Sequence, residues 1–283
     1  MSRILYTVAL AACALASPAI AGSADEACQK TGLTLGMDDY PPYRMEKKDN
    51  NALKGIDYEY VSAIAKDIGC KGIVEVPLPW ARQLKMCEEG ELHLVSSANK
   101  TPEREKYAYF GPTYMKGFNK IFMTAENLKK YAQFKYFDDM IGVDKFALAS
   151  TNGSSYSEYF DQMLKKPEFA KVLDVTTDEI NAVQKTLMGR NQAYIGDVAT
   201  LGYYLKILHG EGKLIAHSMS INAPGAPADQ GTSYIMMSRK AFSKELADKF
   251  MASTTKLRKD GTLDKILEKY MPKELATLLR HTD

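Results

Sequence analysis

Apolar positions along the chain alternate between a strand-like run and a helix-like period. Leu33 to Met37 is a short apolar run, ended by Asp38-Asp39-Tyr40-Pro41-Pro42-Tyr43, an extended turn that the paired prolines enforce. Apolar residues then recur as Tyr60, Val61, Ile64, Ala65 and Ile68, the spacing of one helix face, and Gly69 closes the segment. Ile73 to Val76 reads as a second strand, Pro79-Trp80 opens a helix over Ala81 to Glu89, and Leu92 to Ser97 reads as a third strand. This order predicts a parallel sheet with right-handed crossovers. Ligands on such sheets bind at the carboxyl ends of the strands. Here those ends carry Asp38-Asp39-Tyr40, Pro77 to Trp80 and Ser96 to Asn99.

A second round of the pattern follows. Phe146 to Ser150 is a predicted strand, and Asn152-Gly153-Ser154-Ser155 a loop opening a helix from Tyr156 to Leu164. Lys171 to Asp174 is a strand, Asp178 to Met188 a helix, and Gln192 to Ile195 a strand leading through Gly196-Asp197 into a helix over Val198 to Leu208. A last segment holds the strand Ser233 to Ser238 and helices over Phe242 to Leu257 and Gly261 to Met271. Two such units predict an α/β protein of two lobes, each a mostly parallel sheet flanked by helices. Tyr114 to Phe118 and the Gly/Pro/Ala-rich stretch Ala223 to Gly231 are the natural crossover points.

Composition narrows the function classes. With 45% apolar and 25% charged residues in 283, the chain is an ordinary globular one rather than fibrous or disordered. The 37 basic residues nearly cancel the 35 acidic ones, so no footprint for nucleic acid is visible. No apolar run reaches the roughly 18 residues of a membrane-spanning helix. The four His are scattered and no Cys or His pair has metal-ligand spacing, so neither a metal nor a cofactor is expected. A nucleophile elbow, a phosphate-binding loop and a His-Glu-x-x-His helix are all missing from the sequence.

Residues 1–21 read as a secretory signal peptide: Arg3 supplies the charge, Ile4 to Ala16 the apolar segment, and Ala19-Ile20-Ala21 the cleavage pattern. Leu10-Ala11-Ala12-Cys13 also resembles a lipid-attachment box, but leaves an apolar segment too short for comfortable export. Both readings place the mature protein outside the cytoplasm, in the periplasm. Cys28, Cys70 and Cys87 then lie in an oxidising compartment. Cys28 and Cys70 precede the strands at Leu33 and Val74 by five and four residues. If those strands are parallel neighbours, both thiols lie just below one sheet edge, which favours a Cys28–Cys70 disulfide over a pair using Cys87. Cys87 falls on the Trp80, Leu84, Cys87 stripe of a helix, where a buried free thiol is common.

Several short motifs run in order along the mature chain: Tyr40-Pro41-Pro42-Tyr43, Gly55-Ile56-Asp57, Pro79-Trp80-Ala81-Arg82, Thr101-Pro102-Glu103-Arg104, Phe110-Gly111-Pro112-Thr113-Tyr114, Gly153-Ser154-Ser155, Gly189-Arg190 leading to Asp197, and Asp260-Gly261-Thr262. In these the chain resembles the extracellular solute-binding proteins of family 3, the polar amino-acid receptors of ATP-driven importers, in a Pro-Trp-Ala-Arg subgroup. The resemblance implies the type II periplasmic-binding-protein fold with two crossovers. Lobe 1 would span 22–117 plus 229–283, and lobe 2, over 118–228, would be inserted in it. It also implies hinge closure on a small-molecule ligand, a membrane permease of an ABC importer as partner, and a monomer.

A zwitterion taken out of water needs a partner for each charge. Arg104 is the candidate for the carboxylate, because its planar fork can donate two parallel bonds; a surface helix-capping role is the alternative. Ser154 and Ser155 are read at a helix start, where free N–H groups bind anions; the resemblance implies that they add contacts to the carboxylate from the second lobe, with a plain helix cap as the alternative. Asp197 reads from the sequence alone as the cap of the following helix; the resemblance implies that it also takes the ammonium, as the family's Asp does. Tyr40 and Trp80 occupy positions where the family places aromatic or apolar walls, so the resemblance implies that they wall the ligand side chain, with core packing the alternative for Trp80. Ser97 fits the family's hydroxyl pattern, whereas Asn99 replaces a hydroxyl and needs a reoriented amide to meet an ammonium. Arg82 and Lys100 are either solvated or additional positive charges near the ligand.

The function expected is that of a periplasmic receptor for a polar amino acid or similar small carboxylate, not an enzyme. Two alternatives stand beside it: a prephenate- or arogenate-type dehydratase on the same fold, and a ligand sensor without transport. The dehydratase needs a buried acid in the cleft. Of Asp38, Asp39, Glu103 and Asp197 near the strand ends, none has an obvious partner for that task.

Overall fold

The computed structural model describes residues 22–45, 54–226 and 231–280. The expected signal peptide, Cys13 and part of the second expected crossover lie outside them. The described chain begins with α1 (Ala24–Lys30), capped by the Ser23 hydroxyl, which accepts from the Glu26 N–H at 3.2 Å. It continues through β1 (Leu33–Met37), α2 (Ile56–Asp67), β2 (Ile73–Pro77), α3 (Trp80–Glu89), β3 (Leu94–Ala98), α4 (Pro102–Glu105), β4 (Ala108–Phe110) and β5 (Met115–Gly117). The sequence pattern had missed α1, α4, β4 and β5, which are too short to develop a period.

Next come β6 (Asn119–Met123), α5 (Ala125–Lys130), β7 (Leu148–Thr151), α6 (Glu158–Met163), α7 (Pro167–Ala170), β8 (Leu173–Thr176), α8 (Glu179–Leu187), β9 (Ala193–Asp197), α9 (Val198–Ile207) and β10 (Ile215–Ala216). The chain returns with β11 (Gly231–Ser238) and finishes with α10 (Lys244–Lys259), α11 (Thr262–Tyr270) and α12 (Lys273–Leu279).

Two sheets form the two lobes. The first has the order β2-β1-β3-β11-β4, with β5 also paired to β11; the second has the order β10-β6-β9-β7-β8. Each is built on a parallel trio: β2-β1-β3 in the first and β8-β7-β9 in the second. To these the structure adds antiparallel strands: β11, which the sequence pattern placed at Ser233 to Ser238, and β4 in one lobe, and β6 and β10 in the other, of which the pattern gave no sign for β4, β6 and β10. The links between the lobes run side by side, with Gly117 opposite Gly231 and Met115 opposite Ser233.

Strand alternation explains the layering. Leu94, Ile235 and Met237 belong to a core shared with Tyr60 and Ile64 of α2, Phe250 of α10 and Leu267 of α11. Their neighbours Val95 and Met236 face the other way, into a core with Met86 and Cys87 of α3. In the second lobe Ile121, Leu148 and Ile195 pack on one face with Phe137, Phe160 and Phe169, while Phe122, Ala149 and Tyr194 pack on the other with Val183, Leu201 and Tyr204. Both sheets are therefore covered on two faces.

Leu33 stands opposite Ile73 in the parallel register. That register brings the residues preceding β1 and β2 together below one sheet edge, and Cys28 and Cys70 form a disulfide there. Cys87 is a buried free thiol, as its place on the α3 stripe suggested.

Candidate functional site

The carboxyl ends of the two parallel trios face one another across a cavity of about 480 Å³. Residues of both lobes line it, including Tyr40, Trp80, Ser97, Asn99 and Arg104 from the first, and Ser154, Ser155 and Asp197 from the second. Eight of the nine ligand contacts expected from the sequence thus converge on one space. The ninth, Arg82, is exposed and does not line it. Two residues along α3 from Trp80, it points to the opposite side of the helix. Lys100 is likewise turned outward, paired with Glu105 at 2.8 Å. The extra positive charge considered at the sequence level is not in the cavity.

Arg104 sits on α4, whose start is fixed locally. The Thr101 hydroxyl accepts from the Arg104 N–H at 3.3 Å, and Pro102 occupies the first helical turn. The guanidinium is 6% exposed and donates to two backbone carbonyls, Asn99 at 2.7 Å and Gly153 at 2.9 Å. Among the described residues no carboxylate lies within ion-pair distance of it. Burial lowers its affinity for its proton, the direction expected of a cation without an anionic partner. Trp80 lies beside it: both the Arg104 and Arg44 guanidiniums are 5.6 Å from its ring centroid, and its indole N–H donates to the Gly153 carbonyl at 3.1 Å. Trp80 also belongs to the α3 core, so its packing and cavity-wall roles coexist.

Ser154 and Ser155 reach the cavity differently from expectation. The helix that follows begins at Glu158, and its cap is Ser157, whose hydroxyl accepts from the Phe160 N–H at 3.1 Å. The serine pair lies in the preceding turn, so the anion-binding argument from a helix start does not apply to it. The turn itself is held across the cleft, where the Asn99 amide donates to the Ser155 carbonyl at 2.6 Å.

Asp197 ends β9 and caps α9. Its Oδ1 accepts from the N–H groups of Ala199 and Thr200 at 2.9 and 3.1 Å and from the Tyr43 hydroxyl at 3.1 Å; Oδ2 accepts from the Phe118 N–H at 3.2 Å. Burial raises its pKa, while these donors oppose the rise.

Three buried charged groups at or beside the cavity, Arg44, Asp57 and Glu179, were not singled out in the sequence. Arg44, 2% exposed, pairs with Asp38 at 2.5 Å and with Asp57 at 2.9 Å. Asp57 also accepts from the Tyr114 hydroxyl at 2.7 Å, and Tyr114 receives the Ser97 N–H at 3.0 Å. This buried chain fixes Ser97, whose backbone is in the left-handed region at φ 51°. The motifs Gly55-Ile56-Asp57 and Phe110-Gly111-Pro112-Thr113-Tyr114 contained two of its members without showing that they meet. Glu179 opens α8 against the cavity, 8% exposed, and accepts from the Tyr194 hydroxyl. Burial first, then the charges of Asp197 and Asp38, push its pKa well above the usual carboxyl range. No spacing signal marked it, because its neighbours come from other strands.

The comparisons agree with this architecture. The family model of bacterial extracellular solute-binding proteins, family 3, matches residues 33–273. A curated relative, the probable amino-acid-binding protein YxeM of Bacillus subtilis (strain 168), is 24% identical over 242 residues, 84% of each chain. Among solved structures, the ancestral amino-acid-binding protein AncCDT-1, described as a precursor of cyclohexadienyl dehydratase, is 25% identical with a TM-score of 0.67, covering 87% of this chain and 98% of its own. The amino acid ABC transporter substrate-binding protein AbpA of Streptococcus pneumoniae, bound to L-arginine, is 19% identical with a TM-score of 0.68, covering 87% of this chain and 96% of its own. The chain belongs to the bacterial extracellular solute-binding proteins of family 3.

Proposed function

We propose that the protein is a periplasmic receptor for a polar amino acid or similar small carboxylate, delivering it to the permease of an ABC importer. The observation that carries this reading is Arg104: a buried guanidinium on the wall of a two-lobed cavity with no carboxylate partner among the described residues. Such a group favours an anion brought by a ligand, and its fork suits a carboxylate. Ser97, Ser154 and Ser155 supply polar contacts near it, Asp197 takes the ammonium through Oδ2, and Tyr40 and Trp80 wall the side chain. Lobe 1 is assigned to 22–117 plus 229–283 and lobe 2 to 118–228, with the paired β5 and β11 links as the hinge. Direct bonds between the sides, such as Tyr43 to Asp197 and Asn99 to Ser155, hold the closed form.

The test is a thermal-shift screen of the mature protein against amino acids, dicarboxylates and small organic acids. A ligand at about a hundredfold above its dissociation constant stabilises the fold by roughly 2.7 kcal/mol. A shift with amino acids supports the receptor; none with any carboxylate sinks it. One observation favours a second reading. Glu179 is a buried acid in the cavity with a raised pKa, the group that a dehydratase requires. Conversion of prephenate or arogenate by the purified protein would carry that reading, and the absence of product removes it.

A further inference from the structure

Where β3 reaches the cavity, two of its residues face one on the neighbouring strand. Ala98 stands opposite Tyr234 and Val95 opposite Met236, so Ser96 and Ser97 share the single Ile235 of β11. Such a bulge bends its strand, re-aims a side chain and leaves the extra residue outside the ladder of hydrogen bonds. Ser97 has the irregular backbone: its φ of 51° is strained for a residue with a Cβ and persists only where the surroundings impose it. Ser97 also lines the cavity.

The groups that impose it come from distant parts of the chain and meet at Asp57, fully buried on the first turn of α2. Asp57 Oδ2 pairs with Arg44, whose Nη1 also donates to the Ser96 carbonyl at 3.0 Å. Asp57 Oδ1 accepts from the Tyr114 hydroxyl at 2.7 Å; the Tyr114 oxygen in turn accepts the Ser97 N–H at 3.0 Å, with Ser97 Oγ 3.3 Å away. Both residues of the bulge are therefore held from behind, Ser96 by Arg44 and Ser97 by Tyr114. Asp57 and Tyr114 themselves do not line the cavity. Tyr114 enters this arrangement from the link between the lobes: it immediately precedes β5, and its own N–H donates to the Ser233 carbonyl of β11 at 3.1 Å. A network that served the fold alone would need only to satisfy its own members. This one ends on the backbone N–H of the residue that faces the ligand space.

We infer that Tyr114 is a positioning residue for ligand binding: its hydroxyl, oriented by Asp57 and Arg44, holds the bulge so that Ser97 is presented to the cavity. The inference rests on the receptor reading above. Because the Tyr114 proton goes to Asp57, its oxygen is left as an acceptor for the Ser97 N–H, a role that phenylalanine cannot take. Phenylalanine does keep the ring, stacked on Tyr60 with centroids 5.4 Å apart, so Tyr114→Phe removes the hydroxyl and preserves the apolar packing.

Calorimetric titration of the mature wild type, Tyr114→Phe, Ser97→Ala and the double variant with the standard amino acids and small dicarboxylates tests it. Tyr114→Phe is expected to weaken the tightest-binding of these by about tenfold, the scale of one orphaned buried donor, and Ser97→Ala by a similar factor. Since Tyr114 acts through Ser97, the double variant is expected to lose about as much as one single variant, not the product of the two. The stoichiometry of each titration reports the folded fraction, and the melting temperature is followed in parallel, so a loss of fold is not read as a loss of affinity. Wild-type affinity in Tyr114→Phe or in Ser97→Ala, or losses that multiply in the double variant, overturn the inference and leave the receptor standing, with Tyr114 serving the fold alone. Binding of none of these compounds by the wild type overturns the receptor reading and the inference with it.

Discussion

The Gly153 carbonyl receives two donors from the facing lobe, Nη2 of Arg104 at 2.9 Å and the Trp80 indole N–H at 3.1 Å. Forty-nine residues separate Arg104 from Gly153. One turn of the second lobe is thereby tied to two side chains on the first lobe's side of the cavity, so the guanidinium proposed to hold the carboxylate also takes part in the contact between the lobes.

Arg104→Ala should leave a bound carboxylate buried without its cation. The expected loss is about 3–5 kcal/mol of binding, from a hundredfold to several thousandfold in affinity by calorimetry. Wild-type affinity in this variant would remove Arg104 from the site.

Asp197→Asn separates the two roles of this residue. Asparagine keeps the helix cap through its oxygen, but its amide NH2 cannot accept from the Phe118 N–H. The fold is therefore expected to lose the roughly 1–3 kcal/mol of one orphaned buried donor, and the melting temperature to fall modestly. Amino-acid binding should weaken by about tenfold or more, and binding of the matching carboxylates without an ammonium much less. Equal losses for the two ligand classes would mean that no ammonium partner lies there.

The raised pKa of Glu179 sets a direction for pH. Because the folded value lies above the ordinary carboxyl value of 4.5, the protonated form favours the folded, closed protein. That contribution is complete below the ordinary value and is lost as pH rises through the raised one. Asp57 and Asp197, also raised, act in the same sense. Melting temperature followed upward from pH 4.5 should therefore fall more steeply in the wild type than in Glu179→Gln. Parallel curves would show that Glu179 stays ionised.

The Cys28–Cys70 bridge closes a separation of 42 residues. Loop-closure entropy for that length gives about 4 kcal/mol of stabilisation. Denaturant titration of Cys28→Ala/Cys70→Ala against the wild type should show a loss approaching this figure; a loss below about 1 kcal/mol would mean that the unfolded chain is scarcely constrained by the bond.

Burial pushes the Cys87 thiol up to about 12, so it is expected to resist alkylation in the native protein and to react once the chain is unfolded. Native labelling at a rate similar to that of the unfolded chain would place it at the surface.

What the sequence determined was local or periodic. The apolar stripe Tyr60, Val61, Ile64, Ala65 marked α2 because helix geometry repeats every 3.6 residues, and all of these residues are buried. The strand ends that carry Asp38, Trp80 and Ser97 were legible because a parallel sheet presents all its carboxyl ends to one side. Arg104 stood out through its planar fork and its place in Thr101-Pro102-Glu103-Arg104, a motif in which the chain resembles its family and which is local in the chain. Tertiary structure decided the rest, since it depends on approach between segments far apart in sequence. It started α6 at Glu158 rather than at Tyr156 and turned Arg82 outward. It also joined Arg44 to Asp57 and carried Glu179 into a cavity beside Asp197. Contacts act through space, so the bonds of Tyr43 to Asp197 and of Asn99 to Ser155 emerged only when the two lobes were brought face to face.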